Sequence, residues 1–259
     1  MCVTCGCNDE ENISFREPGK HFHGHHHEYD GGHLHTHEGK RSIDVEKDIL
    51  SGNNLLAERN RGYFMAKNIL AINLVSSPGS GKTTLLECTL KQLNKDFRFY
   101  VIEGDQYTSN DADRIHATGT KVTQINTGKG CHLDAHMILH AVQGINPKEN
   151  SVLFIENVGN LVCPAMFDLG EQERVVVMSV TEGEDKPLKY PDMFHTSTLC
   201  IINKTDLLPY VSFDMDKAKS YALQVNPDLQ ILEVSCTTGK GLSEWFAWIQ
   251  QKMQVPQTS

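Results

Sequence analysis

One run of eight residues, Ser76-Ser77-Pro78-Gly79-Ser80-Gly81-Lys82-Thr83, constrains this chain more than any other. It closes an apolar, strand-like stretch at 69–75 and opens a helix-like stretch at 84–93. A glycine-rich turn ending in Gly-Lys-Thr between a strand and a helix is the signature of a phosphate-binding loop. Gly79 and Gly81 let consecutive backbone N–H groups converge on phosphate oxygens, and the helix behind them adds the positive end of its dipole. Pro78, Ser80 and Thr84 complete the expected cradle. Lys82 is expected on the terminal phosphates, as a catalytic cation, and the Thr83 hydroxyl on a magnesium ion. Ser76 stands where the pattern usually has its first glycine, and a serine can still form that turn.

A second motif says which nucleotide. The short apolar strand at 199–202 runs into Asn203-Lys204-Thr205-Asp206. A carboxylate placed like that of Asp206 accepts two hydrogen bonds from the N1–H and 2-amino group of guanine, donors that adenine lacks, while Asn203 and the Lys204 stem flank the base. Such selection is strong, because the wrong base leaves a buried carboxylate unpaired. After a further strand at 231–234 comes Ser235-Cys236-Thr237-Thr238-Gly239-Lys240-Gly241, where Ser235 and Cys236 are expected to cover the other side of the base. Three such loops in this order, each after a strand, predict a domain that binds GTP with Mg2+.

The chain of 259 residues, 39% of them hydrophobic, can bury one substantial core. Its net charge of −9 argues against nucleic acid as a partner. No run of about 18 apolar residues offers a membrane span, and no apolar signal segment opens the chain, so a cytoplasmic protein with reduced cysteines is expected. Residues 1–42 hold few aliphatic side chains and many Gly, His and acidic ones, which predicts a disordered tail. Residues 43–68 place Ile43, Ile49, Leu50, Leu56, Tyr63 and Phe64 among charges, as one or two amphipathic helices would. From 69 to 259, strands are predicted at 69–75, 97–102, 121–126, 151–155, 174–180, 199–202 and 231–234. Helices are predicted at 84–93, 111–117, 132–142, 215–225 and 242–253. This alternation implies an α/β fold, a mostly parallel sheet with helices on both faces and ligands at the carboxyl ends of its strands.

Two clusters of metal ligands add a second chemistry. Cys2, Cys5 and Cys7 lie within six residues, and Gly6 lets the chain close around one ion. Three thiolates with the terminal amine as a fourth ligand suit Ni2+, while Zn2+ or copper(I) would also accept them. Beyond them lie His21, His23, His25, His26, His27, His33, His35 and His37, eight of the 13 histidines. They predict several weak sites, a store or buffer of metal. An expression tag would be one unbroken run, whereas Phe22, Gly24 and Glu28 interrupt this tract. The second cluster is Cys131, His132 and Cys163, each shortly after a predicted strand. Cys163 follows Glu156-Asn157-Val158-Gly159, where a G protein usually carries the Asp-x-x-Gly loop that senses the γ-phosphate. A metal there would be tied to the state of the nucleotide. The plainer reading is two cysteines packed as small hydrophobes, as expected for Cys88 and Cys200.

These pieces, with Glu103-Gly104-Asp105-Gln106, Asn110-Asp111-Ala112-Asp113-Arg114, Gly130-Cys131-His132-Leu133-Asp134-Ala135 and residues 156–164, resemble the HypB family of hydrogenase maturation GTPases. The resemblance spans nearly all of residues 44–250 and the cysteine tip. It implies a GTP-hydrolysing nickel chaperone that forms a GTP-dependent homodimer and helps load nickel into the large subunit of [NiFe]-hydrogenase alongside a HypA-type metallochaperone. It also implies Asp105 as the switch carboxylate near magnesium and Glu156 as a second acidic group close to the metal or the attacking water. Without a local arginine finger, slow hydrolysis is expected. Three other readings stand beside it: a nickel store with a minor GTPase role, a regulatory G protein with structural zinc, and an accessory GTPase for another nickel enzyme such as urease. Intact Lys82, Thr83 and Asp206 speak against the first, and three internal ligands per subunit, rather than a closed set of four, against the second.

Overall fold

The computed structural model describes residues 14–16, 40–106 and 108–254. Strands β1 (Ser14–Arg16), β2 (Ile69–Ser76), β3 (Arg98–Asp105), β4 (Lys121–Asn126), β5 (Ser151–Glu156), β6 (Glu173–Ser179), β7 (Leu199–Asn203) and β8 (Gln230–Glu233) form one sheet in the order β1-β4-β3-β5-β2-β6-β7-β8. All pairings are parallel except that of β1, which lies antiparallel on β4. Every residue of β2, β5 and β6 is buried. That double-sided burial explains why these strands read as continuous apolar runs rather than alternating ones.

Helices α1 (Lys40–Ala66), α2 (Lys82–Leu93), α3 (Asn110–His116), α4 (Ala135–Ile145), α5 (Cys163–Met166), α6 (Lys186–Lys189), α7 (Pro191–His195), α8 (Met215–Val225) and α9 (Leu242–Gln254) complete the layers. Alternate residues of β2 divide between the faces. Leu70, Ile72 and Leu74 join Leu85, Leu86, Leu90, Trp245, Trp248 and Ile249 on one side. Ile69 and Ala71 meet Phe64, Met137, Ile138 and Ala141 of α1 and α4 on the other, while α7 and α8 close the rest of that face.

Before β2, two boundaries differ from the sequence reading. The segment expected as one or two helices over 43–68 is a single helix that begins at Lys40, inside the predicted tail, and ends at Ala66. Ser14–Arg16, also assigned to the tail, pairs at the sheet edge, with Ser14 opposite Asn126. A three-residue strand is too short for periodicity to show, and the open edge of β4 supplies the hydrogen bonds that composition cannot announce. Cys2, Cys5, Cys7 and the eight histidines from His21 to His37 lie outside the described residues.

Candidate functional site

At the carboxyl end of β2 the chain turns through Gly79 (φ 74°) and Gly81 (φ 98°), both left-handed. Gly81 is required twice over, because a Cβ there would also lie 2.5 Å from the Asn203 amide nitrogen. Lys82 and Thr83, placed before the helix by the sequence reading, are its first two residues. The Lys82 ammonium donates to the Ser76 hydroxyl at 2.6 Å. The residue that departs from the usual pattern therefore holds the cation that the pattern is built around. Burial pushes the Lys82 pKa down, and Glu156 opposes that shift.

Thr83 donates from Oγ1 to Glu156 Oε1 at 2.7 Å, while Glu156 Oε2 is buried with no hydrogen-bond partner among the described residues. Burial raises the Glu156 pKa, against the pull of Lys82. Glu103, to which the sequence reading gave no role, stands opposite Glu156 in the β3–β5 register and is equally buried. Burial first, then the charges of Glu156 and Asp105, push its pKa up to about 9. In the sequence it opens the piece Glu103-Gly104-Asp105-Gln106, just after the predicted strand at 97–102. Asp105 points elsewhere: its carboxylate accepts from the Gln106 and Thr108 amides and the Thr108 hydroxyl at 2.5–2.9 Å. The structure thus brings Thr83 and Glu156 together but joins Asp105 to neither among the described residues.

The predicted base-binding loops meet the phosphate loop directly. Asn203 donates to the Ser80 carbonyl at 2.9 Å, and the Lys204 ammonium to the Gly79 carbonyl at 2.6 Å. Lys204 itself takes a left-handed turn (φ 60°). Ser235 donates to Asp206 Oδ1 at 2.6 Å, so the third loop orients the carboxylate expected to read guanine. The Cys236 thiol lies 3.7 Å from Asn203 Oδ1, at the same corner.

Cys131, His132 and Cys163 also converge, although 31 and 32 residues separate Cys163 from the other two. Their ligating atoms all lie within 4.8 Å of one another. Cys131 Sγ is 2.8 Å from Cys163 Sγ and 3.7 Å from His132 Nδ1. The imidazole stacks on Phe167 at 3.9 Å, which fixes the plane of the ring. Burial lowers the His132 pKa, with Asp134 opposing, and so favours the neutral ring that ligates metal. Two thiols and an imidazole form a soft, open set of three ligands. Cys200 packs in the core, as expected.

Residues 70–233 match the family described as CobW/HypB/UreG, nucleotide-binding domain. The HypB hydrogenase maturation factor of Rhizobium leguminosarum bv. viciae is 59% identical over 211 residues, 82% of this chain and 71% of that one. The chain belongs to the HypB family. A crystal structure of HypB from Archaeoglobus fulgidus superposes with a TM-score of 0.74 at 40% identity, covering 79% of this chain and all of that one. One of HypB from Helicobacter pylori, described as in complex with nickel, gives a TM-score of 0.74 at 38% identity over 78% of this chain and 95% of that one. Like other HypB proteins it is a P-loop GTPase.

In this HypB chain the two sites are joined by a buried polar chain that motif reading missed. Asn157, the residue after Glu156, accepts through Oδ1 from the amides of Leu133 and Val158 at 3.2 and 3.0 Å. It donates to Asn73 Oδ1 at 3.4 Å, and Asn73 donates to Glu171 Oε1 at 3.0 Å. Glu171 pairs with Arg174 at 2.7 Å, both side chains almost fully buried. Burial alone would raise the Glu171 pKa, but Arg174 and the Asn73 amide outweigh it and hold the carboxylate ionised. Arg174 then donates to the carbonyls of Ala165 and Phe167, next to Cys163 and under His132. Asn160 closes the loop with a hydrogen bond to the Cys131 carbonyl at 3.4 Å. Each of these residues, read alone, is an unremarkable polar side chain in or beside a strand.

Proposed function

We propose that this chain is a GTP-driven nickel metallochaperone that carries nickel at Cys131, His132 and Cys163 and releases it toward the large subunit of a [NiFe]-hydrogenase. The observation that carries the reading is the hydrogen bond from Leu133, beside His132, to Asn157, beside Glu156. It ties a metal ligand to the loop that follows a residue holding Thr83. Membership of a family of hydrogenase maturation factors and the nickel named for the H. pylori relative support the choice of metal and client. The same thiolate and imidazole set would accept zinc.

Magnesium fits the nucleotide edge. The donors there are a hydroxyl and carboxylates, hard oxygen ligands, and Glu156 Oε2 is a buried oxygen without a hydrogen-bond partner among the described residues. Thr83 and Glu156 would hold the ion, with Asp105 the other carboxylate implied by the family, and the ion would neutralise charge on the terminal phosphates. Lys82 binds the same phosphates from the Ser76 side. Asn203 and Lys204 lock the base loop onto the phosphate loop, and Asp206, held by Ser235, selects guanine.

Loss of the γ-phosphate would free the loop at 156–160, which lies against the phosphate loop: a Cβ on Gly159 would sit 3.1 Å from Pro78 Cα. Movement there alters the Asn157–Leu133 and Asn160–Cys131 contacts together. Three ligands per chain leave a coordination position for a partner copy, which supports a GTP-dependent homodimer, or for the receiving protein and a HypA-type metallochaperone. No helix among the described residues is long and apolar enough to cross a membrane, and we place the protein in the cytoplasm. The direct test mixes nickel-loaded protein with an apo large subunit and either GTP or GDP. Transfer that is faster with GTP in the wild type and absent in Cys163→Ala supports the reading. Transfer indifferent to nucleotide and to Cys163 contradicts it.

A further inference from the structure

Arg114 of α3 reaches across to the first turns of α2. Its Nη2 donates to Thr84 Oγ1 at 3.1 Å and to Glu87 Oε2 at 2.7 Å, and its Nη1 donates to Asp111 Oδ1 at 3.1 Å. Two carboxylates thus fix the guanidinium fork, while the side chain stays 42% exposed and open to a ligand. A surface ion pair of this kind contributes little to stability. Its position is the informative part. Thr84 follows Lys82 and Thr83 in the first turn of α2, where Gly81 supplies no side-chain cap to the backbone N–H groups. The charge of Asp111, on the same short helix as Arg114, acts on Lys82, Glu103 and Glu156, so α3 borders the phosphate site. The terminal phosphates belong where Lys82 meets Ser76 and Thr83 meets Glu156. The base belongs at the other corner, with Asn203, Asp206 and Cys236. Thr84 looks toward that corner. Residues four apart on a helix share a face, and Cys88, four on from Thr84, has its thiol 3.9 Å from the Cys236 carbonyl.

We propose that Arg114 is a further nucleotide-binding residue, a cation for the α-phosphate that GTP and GDP share, with Glu87 and Asp111 as the residues that position it. The phosphate nearest the base is the α-phosphate, and a guanidinium fork suits its oxygens better than any other side chain. Arg114 is not an arginine finger. A cation that binds substrate and product nucleotide equally raises affinity without lowering the barrier to hydrolysis. It holds the nucleotide in both states, so that the γ-phosphate alone distinguishes them. This inference rests on the nucleotide site as proposed above.

The test titrates GDP and a non-hydrolysable GTP analogue, with magnesium, into the full chain by calorimetry. Arg114→Gln should weaken both by the same factor, about tenfold or more, because a charge-assisted hydrogen bond to phosphate is lost from each. Its KM for GTP should rise by that factor with kcat unchanged at saturation. Arg114→Lys should recover part of the loss, as a point charge without the fork. The α-phosphate itself is read with GDPαS, in which sulfur replaces one non-bridging α-oxygen and gives two diastereomers. The wild type should prefer one of them severalfold, and Arg114→Gln should bring that ratio close to one, which a merely structural role would not do. Glu87→Gln should weaken GDP a few-fold in the wild type and have no further effect when combined with Arg114→Gln. Unchanged GDP affinity in Arg114→Gln, a loss confined to the GTP analogue, or an unchanged diastereomer ratio would each overturn the assignment. Lys82→Ala is the control for the site as a whole. If that variant binds both nucleotides as the wild type does, the phosphate-loop reading fails, whatever Arg114 does.

Discussion

The nucleotide edge and the metal cluster meet at neighbouring strand ends, yet they are assembled in opposite ways. The nucleotide edge is made of contiguous motifs, each whole within eight residues, and those motifs bind one another: Asn203 to Ser80, Lys204 to Gly79, Ser235 to Asp206. The metal cluster is made of residues from two loops 31 and 32 residues apart, held by side chains that are not ligands at all. Its frame is the chain of Asn157, Asn73, Glu171 and Arg174. A motif-built site fails when its own residues change. A framed site can also fail at a distance.

The sharpest way to break the comparison is therefore to damage each site where it is most itself. Lys82→Ala removes the cation from the nucleotide edge, and GTP turnover, followed by phosphate release, should fall by at least about 100-fold with the fold intact. Metal affinity in the GDP state should not change. Glu171→Ala leaves Arg174 buried without its partner and should destabilise the protein by about 3–5 kcal/mol in chemical denaturation. It should weaken the Cys131–His132–Cys163 site although it touches none of its atoms, while Asp206 and Lys82 keep their geometry.

Smaller effects sharpen the boundary between the two regions. Asp206→Asn should move nucleotide preference from GTP toward XTP, measurable by competition binding, because a carboxylate that accepts two hydrogen bonds becomes a mixed donor and acceptor. Gly104→Ala puts a methyl about 2.8–2.9 Å from the Leu133 side chain, which must shift. Since Leu133 follows His132, metal affinity should fall a few-fold with little loss of GTP hydrolysis. Glu103 gives a pH signature. Its carboxyl is held protonated up to about 9 in the folded chain, against 4.5 when free, so the folded state binds the extra proton in that window. Stability then declines as pH rises from about 5 to 9, by at most about 1.4 kcal/mol per pH unit from this group. Glu103→Gln should flatten that decline in nucleotide-free protein and leave unfolding below pH 5 nearly unchanged.

Much of the fold was legible because the buried strands are apolar on both faces and the glycine turns fall at their ends. The predicted 69–75, 121–126 and 151–155 need at most one added residue to become β2, β4 and β5. Lys82, Thr83, Asn203 and Asp206 were legible for the same reason, as local chemistry in local sequence. Cys131, His132 and Cys163 could be named because both loops follow strands of one parallel sheet at its carboxyl edge, but their 4.8 Å convergence is a fact of packing. Glu103, Asn73, Glu171 and Arg174 were illegible as a set. Their meaning lies in partners as much as 98 residues away, as for Asn73 and Glu171, and no spacing encodes that. Ser14–Arg16 was hidden for a different reason, since a strand edge recruits whatever short segment can complete it.

The central claim is that nucleotide state and metal affinity are coupled through the loop at 156–160. The measurement that tests it most directly is nickel affinity of purified protein, lacking Cys2, Cys5 and Cys7 by substitution with serine, in a non-hydrolysable GTP analogue and in GDP. The account predicts affinities that differ by about tenfold, or about 1.4 kcal/mol of coupling, with the reciprocal shift in nucleotide preference when nickel is bound. Asn157→Ala should collapse that difference. Equal nickel affinities in the two nucleotide states would contradict the account and leave Cys131, His132 and Cys163 a metal site that the GTPase does not control.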